Sequence, residues 1–294
     1  MSQVFGDLVQ QAKDALERAG IEGAAREARI LAAKAADIPV DRASLSFQEV
    51  VAREAQSKLE AFIASRVLRM PLSHITGTRA FYTHEFTVTP DVLDPRPETE
   101  TLIETAFESD FQHVLDLGTG SGCILLSLLA ACPDAAGVGT DVSHRALDVA
   151  LGNAARLELS DRCLFLTSDW YSDVEGQFDL IVSNPPYISA EEMEDLQPEL
   201  THEPRQALTD EADGLSAYRK IIPGAGAHLR PQGRLLVEIG WTQADQVAAM
   251  FETSGFTNVN VAPDLDGRDR VVGGIWPGVE AIFPQIRPIS ALFA

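Results

Sequence analysis

Val114-Leu115-Asp116-Leu117-Gly118-Thr119-Gly120-Ser121-Gly122 is the stretch whose reading decides the fold. The short apolar run at its start reads as a buried strand, and the glycines that follow end it. Residues 123–132, apolar apart from Ser127, then read as a core helix that is too short to cross a bilayer. Strand, glycine-rich turn and helix make the first half of a βαβ unit. The alternation continues outward from it. Residues 136–139 read as a strand, Ser143 caps a helix running towards Arg156, and residues 163–166, 179–182 and 235–238 add strands, the last just after Gly233. A helix over 243–252 and strands at 259–261 and 270–272 follow, predicting a doubly wound α/β sheet.

The same stretch carries chemistry. Glycines opening a helix let the backbone turn tightly and let a ligand approach the helix N–H groups. Asp141, at the end of the next strand, is placed to accept hydrogen bonds from a ribose diol, although it equally suits the cap of the following helix. The spacing is GxGxG, with Cys123 where a dinucleotide fingerprint has its third glycine. That argues against NAD and for S-adenosylmethionine, whose amino-acid end the glycines would admit. Further on, Asn184-Pro185-Pro186-Tyr187 closes the apolar run at 178–183. Prolines cannot continue a strand ladder, so the backbone leaves the sheet and offers carbonyls as acceptors. Asn184 adds an amide oxygen, and Tyr187 an aromatic wall with a hydroxyl. Asn-Pro and Pro-Pro are also ordinary turn signals; the glycines and Asp141 upstream are what favour a functional reading.

The chain has 294 residues, 45% of them hydrophobic, which suits one large domain and a smaller one. Its net charge is −21, and residues 1–75 hold ten basic and ten acidic side chains, so the remainder carries 13 Lys or Arg against 34 Asp or Glu. So acidic a region repels phosphate backbones unless a basic patch overrides the mean field, and the sequence shows no such patch. Cys123, Cys132 and Cys163 form no CxxC pair, and the six histidines lack ligand spacing, so neither disulfide nor metal is expected. Asp7 and Asp14 stand where a secretory peptide would be basic and then apolar, so a cytoplasmic protein without a membrane span is expected.

The beginning of the chain reads as helices. Val4, Leu8, Ala12, Ala15 and Leu16 recur at helical spacing before Gly20, an alanine-rich helix runs to Pro39, and Ser46-Phe47-Gln48-Glu49 fits a capping box for a third helix reaching about Leu68. Residues 75–94 read as a β-hairpin linker with a Thr83-His84 turn. Asp94-Pro95-Arg96-Pro97-Glu98-Thr99-Glu100 reads as the start of a helix, and residues 277–294 as a loosely attached tail.

These residues resemble the PrmC/HemK family, the glutamine N5-methyltransferases of peptide chain release factors. The resemblance rests on residues 71–77, Pro95-Arg96-Pro97-Glu98-Thr99-Glu100, residues 116–122, Ser168-Asp169-Trp170, and most specifically residues 183–188 and 203–208. It implies a seven-stranded, Rossmann-like class I fold that binds S-adenosylmethionine, with residues 1–74 as a helical docking domain for the release factor and 95–276 as the methyltransferase domain. It implies that Gly118, Thr119, Gly120, Ser121, Gly122, Asp141, Trp170 and Asn184 line the cofactor, Trp170 beside adenine. Asn184, Pro185, Pro186 and Tyr187 would hold the acceptor glutamine of a Gly-Gly-Gln motif, with Asn184, Pro185 and Tyr187 as the catalytic group. The chain departs from the family at Asp94, where an apolar residue commonly precedes Pro-Arg-Pro.

An amide nitrogen is a poor nucleophile, so catalysis must come from orientation and from stabilising developing positive charge. Two acceptors, the Asn184 side-chain oxygen and the Pro185 carbonyl, suit both tasks. An adenine-N6 methyltransferase poses the same problem after base flipping and is the alternative; the acidity of the catalytic region argues against it. A docking module with a vestigial nucleotide site is a third reading, opposed by the intact motifs. A monomer acting on release factors, without direct nucleic-acid contact, is expected.

Overall fold

The computed structural model describes residues 3–278, so the expected tail at 277–294 lies almost entirely outside the described residues. The chain forms two compact units. One holds the residues up to Thr78 together with Gln197–His202; the other holds Arg79–Leu196 and the chain from Glu203 onward.

The first unit is helical: α1 (Phe5–Arg18), α2 (Ala24–Ala36), α3 (Arg53–Val67) and the short α4 (Leu72–Thr76). α1 buries Phe5, Leu8, Val9, Ala12 and Leu16, and α2 buries mostly alanines around Leu31. Small side chains let helices approach closely, and these residues share one core with Leu59 of α3. Arg66 of α3 is buried against two carboxylates, Glu27 at 2.7 Å and Glu199 at 3.0 Å. The third helix does not begin at the expected capping box. Glu49 N–H donates to the Ser46 carbonyl and the Ser46 hydroxyl to the Glu49 carboxylate, which makes a turn. That turn has another use: the Glu49 and Phe47 carbonyls accept from Phe5 and Gly6 N–H, two donors that the start of α1 cannot satisfy internally. Val50 pairs with Val4, and α3 starts only at Arg53.

The linker is the hairpin β1 (Thr78–Phe81) and β2 (His84–Thr87). Its turn lies at Tyr82-Thr83, one residue earlier than expected, with Tyr82 at φ 52°; His84 is in the strand, and Ile75 belongs to α4. After a single turn at Pro97–Thr99 comes α5 (Glu100–Ala106), followed by β3 (His113–Leu117), α6 (Cys123–Ala131), β4 (Ala136–Asp141), α7 (His144–Arg156), β5 (Cys163–Thr167) and β6 (Phe178–Ser183). Then come α8 (Arg205–Leu208), α9 (Ser216–His228), β7 (Leu229–Glu238), α10 (Ala244–Thr253), β8 (Thr257–Pro263) and β9 (Asp269–Ile275).

The seven strands form one sheet in the order β5-β4-β3-β6-β7-β9-β8. β9 runs antiparallel to both of its neighbours, and the other pairs are parallel. Between β3 and β6 the strand order reverses, and such a switch point opens a crevice beyond the carboxyl ends of the strands. β7 begins at Leu229, upstream of its expected start, where it pairs with Phe178 before the register shifts between Phe178 and Leu180. α9 is an element the sequence reading did not assign, and Pro223, Gly224 and Gly226 within it are residues that disfavour a helix interior. A Cβ at Gly224 would stand 2.8 Å from the Tyr171 ring, and one at Gly226 2.6 Å from the Trp276 ring, so the glycines admit those aromatics. Among the described residues, no helix is long and apolar enough to cross a membrane.

Candidate active site

Three strand ends meet at the switch point. β3 ends at Leu117, and the loop that follows holds Gly118, Gly120 and Gly122 at φ 72°, 56° and 78°, a region that only glycine enters without strain. The loop is braced from several sides. Thr119 N–H donates to the Thr140 carbonyl, the Thr119 hydroxyl to Asp116 at 2.7 Å, and Gly122 N–H to the Thr119 carbonyl. Buried Asn153 of α7 donates to the Ser121 and Thr87 carbonyls and accepts from Thr87 N–H, tying the loop to the hairpin.

Asp141 ends β4. One carboxylate oxygen accepts from Gly120 N–H at 3.0 Å and the other from Ser143 N–H at 2.9 Å, so the side chain ties the glycine loop to the start of α7. Ser143 is the cap itself, accepting from Ala146 N–H at 3.2 Å. Burial raises the Asp141 carboxyl against the pull of those N–H groups. Each oxygen keeps a lone pair for a further donor.

Asn184 and Pro185 follow β6 directly. With Gly118, Gly120, Asp141 and Trp170 they line one cavity of about 270 Å³. Thr119, Ser121 and Pro186 also line it. A Cβ at Gly120 would meet no atom within 4 Å, so that glycine borders open space, whereas Gly118 approaches Trp170. Gly122 and Tyr187 are placed otherwise and do not line the cavity. A Cβ at Gly122 would press on Leu126 and Ala150 at 3.1 and 3.2 Å, which makes it a packing position between helices α6 and α7. The Tyr187 ring packs on the core beneath the sheet end, its carbonyl accepts from Gln243 at 3.0 Å, and its hydroxyl faces Glu238 at 3.5 Å.

Several residues of the site were not foreseen. Thr99 is buried and accepts from the Asn184 amide at 3.2 Å. Arg96 lines the cavity, held 2.5 Å from Glu203, whose other oxygen accepts from Asp94 N–H. Asp94, the departure from the family, is buried and meets Arg79 at 3.5 Å and Arg96 at 3.7 Å, so its charge is matched. Pro204, Gln206 and Ala207, within the matched block at 203–208, complete a wall. Sequence alone could point to the two blocks but not to their meeting across the sheet. Among the described residues, no cluster of three or more His, Cys, Asp or Glu could hold a metal ion.

The chemistry of these groups fits a nucleoside-bearing ligand: an acid with spare lone pairs, a glycine bordering open space and an indole at the edge of one cavity. An otherwise parallel seven-stranded sheet with β9 reversed, and its crevice at the switch point, is the layout of class I S-adenosylmethionine-dependent methyltransferases, and this protein is one of them. Residues 89–261 match the model of the methyltransferase small domain, and residues 7–77 that of the PrmC N-terminal domain. The chain belongs to the PrmC/HemK family of release factor glutamine methyltransferases. The family's enzyme from Cereibacter sphaeroides is 50% identical over 272 residues, spanning 92% of this chain and 98% of its own. Those from Rhodospirillum rubrum and Caulobacter vibrioides are 43% and 41% identical, spanning 91% and 90% of this chain and 83% and 93% of theirs. Among solved structures, a methyltransferase from Pyrococcus furiosus matches with a TM-score of 0.53 at 17% identity, over 76% of this chain and 100% of its own. The hMettl16 catalytic domain, in complex with a MAT2A 3′UTR hairpin, matches with 0.54 at 16% identity, over 74% and 81%. At such identity these two likenesses show the fold alone.

Proposed function

We propose that this protein methylates the side-chain amide nitrogen, N5, of the glutamine in the Gly-Gly-Gln motif of peptide chain release factors. One observation carries the reading: Asn184 and Pro185, which can present acceptor oxygens, line the same cavity as Gly118, Gly120 and Asp141. Bound S-adenosylmethionine supplies an electrophilic methyl group on a sulfonium. Asp141 would take the ribose hydroxyls on its spare lone pairs, Gly118 to Ser121 would let the ligand lie against the backbone, and Trp170 would flank the adenine.

Asn184 Oδ1 and the Pro185 carbonyl accept the two N–H groups of the substrate amide, leaving its nitrogen aimed away from them. Both bonds strengthen as positive charge grows on that nitrogen, so they favour the transition state over the ground state. Neither His nor Lys lines the cavity, and none is required: the N5 proton becomes acidic as the new bond forms and leaves afterwards, by way of its acceptor, to water. Pro186 shapes the turn. Tyr187 serves from below by fixing the turn on Gln243 and the core, and Gly122 by seating α6.

The names of the relatives at 41–50% identity favour a glutamine amide over an adenine amine. The acidity of the chain beyond residue 75 speaks the same way. On this reading the helical unit docks the release factor, and the enzyme works as a cytoplasmic monomer without direct nucleic-acid contact. The test offers purified protein and methyl-labelled S-adenosylmethionine a release factor, its Gln→Ala variant at the motif, and DNA and RNA. Label on the motif glutamine alone is expected; label on nucleic acid, or on the variant, overturns the reading.

A further inference from the structure

We infer that Thr99 and Glu238 are positioning residues that dictate which end of the Asn184 amide faces the cavity. The inference rests on the role proposed above for Asn184. A primary amide has nearly the same outline either way round, and its neighbours decide where the oxygen points. At Asn184 the deciding neighbour is Thr99, whose hydroxyl oxygen lies 3.2 Å from the amide nitrogen. A hydroxyl has one proton and two lone pairs, so it can face an NH₂ group with a lone pair or an oxygen with its proton. What settles the choice is where that proton goes.

Glu238 supplies the answer. It ends β7, one residue beyond the pairing of Ser183 with Val237, and therefore stands beside Asn184 across the sheet. Its carboxylate is fully buried, and its Oε2 has no formed hydrogen bond. An orphaned carboxylate oxygen is costly, and a carboxylate can only accept. Burial is the largest influence on this acid and raises it; the strongest opposing pull is the Thr99 hydroxyl. A Thr99 hydroxyl turned towards the unpartnered Oε2 would give it the donor it lacks, leaving the Thr99 lone pair for Asn184, and only the NH₂ end of the amide complements that lone pair. Asn184 Oδ1 is then the atom that remains for the substrate. The reversed amide would set its oxygen against a hydroxyl whose proton is already committed.

The remaining groups around Glu238 do not replace Thr99. The Tyr187 hydroxyl donates to Oε1 at 3.5 Å and leaves Oε2 unpartnered, and the Tyr218 hydroxyl donates to the Glu238 backbone carbonyl. Arg270 attracts the carboxylate but spends its own donors on Asp264 and the Ile239 carbonyl. Glu98 opposes the charge, and Cys123, whose thiol is itself raised by burial, feels it across the site. Glu238 is raised to about 7, so it exchanges its proton near neutral pH. Once protonated it no longer demands the Thr99 proton, and the amide loses its bias.

The experiment compares Thr99→Val, Thr99→Ser, Glu238→Gln and Asn184→Ala in the full chain, with melting curves and S-adenosylmethionine affinity by calorimetry. Thr99→Val should lower kcat by about 10–100-fold, as misorientation of a reacting partner does, with KM and cofactor affinity little changed. Thr99→Ser, which keeps the hydroxyl, should recover most of that loss. In the wild type kcat should rise with pH through about 7, and Glu238→Gln should erase that limb. Wild-type kcat in Thr99→Val, or a kcat–pH profile in Glu238→Gln that matches the wild type's, overturns the inference. If Thr99→Val does not fold, the pH comparison decides. If Asn184→Ala itself keeps the wild-type kcat, the proposed role of Asn184 falls; if Asn184→Ala is impaired and Thr99→Val is not, only the relay falls.

Discussion

In its proposed role Asn184 serves a transition state from the first position beyond a strand, next to Ser183, the last residue the sheet holds. Rigid attachment is what makes one amide worth much. Asn184→Ala should therefore lower kcat by roughly 10²–10³, typical for loss of one preorganised polar contact, while KM for the release factor changes little. Steady-state kinetics on folded protein checks this, and a wild-type kcat would leave the tetrapeptide as a turn and nothing more. Asp141 is less simple than its position in the sequence suggests. Because it also holds Gly120 and Ser143 N–H, Asp141→Ala should both weaken cofactor binding by at least about tenfold and lower the melting temperature. Calorimetry and melting read the two effects apart. Asp116 permits a prediction about pH. Fully buried, with one oxygen unpartnered, its carboxyl is raised by burial from 3.8 to about 7. The folded state thus holds a proton that the unfolded state has released across that window, so this contribution is fully present below the lower value and is lost as pH rises through the upper one. The slope for one proton is about 1.4 kcal/mol per pH unit. Asp116→Asn should gain stability relative to wild type between pH 5 and pH 8 in denaturant titrations, and an unchanged difference would contradict the assignment. Asp141 and Asn184 were legible because the first ends an apolar strand and the second directly follows one. Thr99 and Glu238 were not, since only the register of β6 on β7 brings positions so distant in sequence together.

The elements that hold these residues divide into those that announce themselves and those that depend on partners. β3, α6, β4 and α7 were legible because short apolar runs alternate with glycine and a serine cap. α9 was not, because its proline and glycines carry the opposite local message and are explained only by the Tyr171 and Trp276 rings packed against them. The start of α3 was misplaced for a related reason: Ser46 to Glu49 does form a local hydrogen-bonded unit, but its carbonyls are taken by the first turn of α1. Tertiary demand outranked a local signal. The glycine loop shows the same division inside one motif. Gly120 and Gly122 look equivalent in sequence, yet one borders open space and the other is clasped by Leu126 and Ala150. Gly120→Val should abolish cofactor binding by occupying the cavity, with only the modest strain of a left-handed residue, about 1–2 kcal/mol. Gly122→Val should instead add a clash to that strain, of about 1–3 kcal/mol for overpacking, and lower the melting temperature more. Parallel calorimetry and melting distinguish them, and equal destabilisation of the two variants would refute the distinction.

At the scale of the molecule, charge and chain path are the informative features. All of the excess negative charge lies beyond residue 75, and the helical unit takes only Glu199 of it, so that unit repels an acidic partner far less than the catalytic unit does. The division into units was legible from composition and periodicity, but its boundary was not, because the helical unit also claims Gln197–His202. The chain leaves the catalytic unit after Leu196 and returns to it at Glu203, immediately before Pro204, Gln206 and Ala207 in the cavity wall. That path makes removal of residues 1–70 more than a loss of the proposed docking surface. Glu199 would lose Arg66 and Arg69, and the 197–202 segment would lose its core. The wall itself keeps its own anchors, since Glu203 is bound by Arg96 and by Asp94 N–H inside the catalytic unit. Cofactor affinity should therefore stay within about threefold of the full chain, the scatter expected of distant sites, and the pinned residues should preserve methylation of a short Gly-Gly-Gln peptide. Methylation of an intact release factor should fall much further, through a rise in KM. Calorimetry and kinetics on both substrates separate the two effects. Equal activity of the shortened and full chains on the intact factor would remove the docking role, and loss of cofactor binding would show that the 203–207 wall depends on the segment before it.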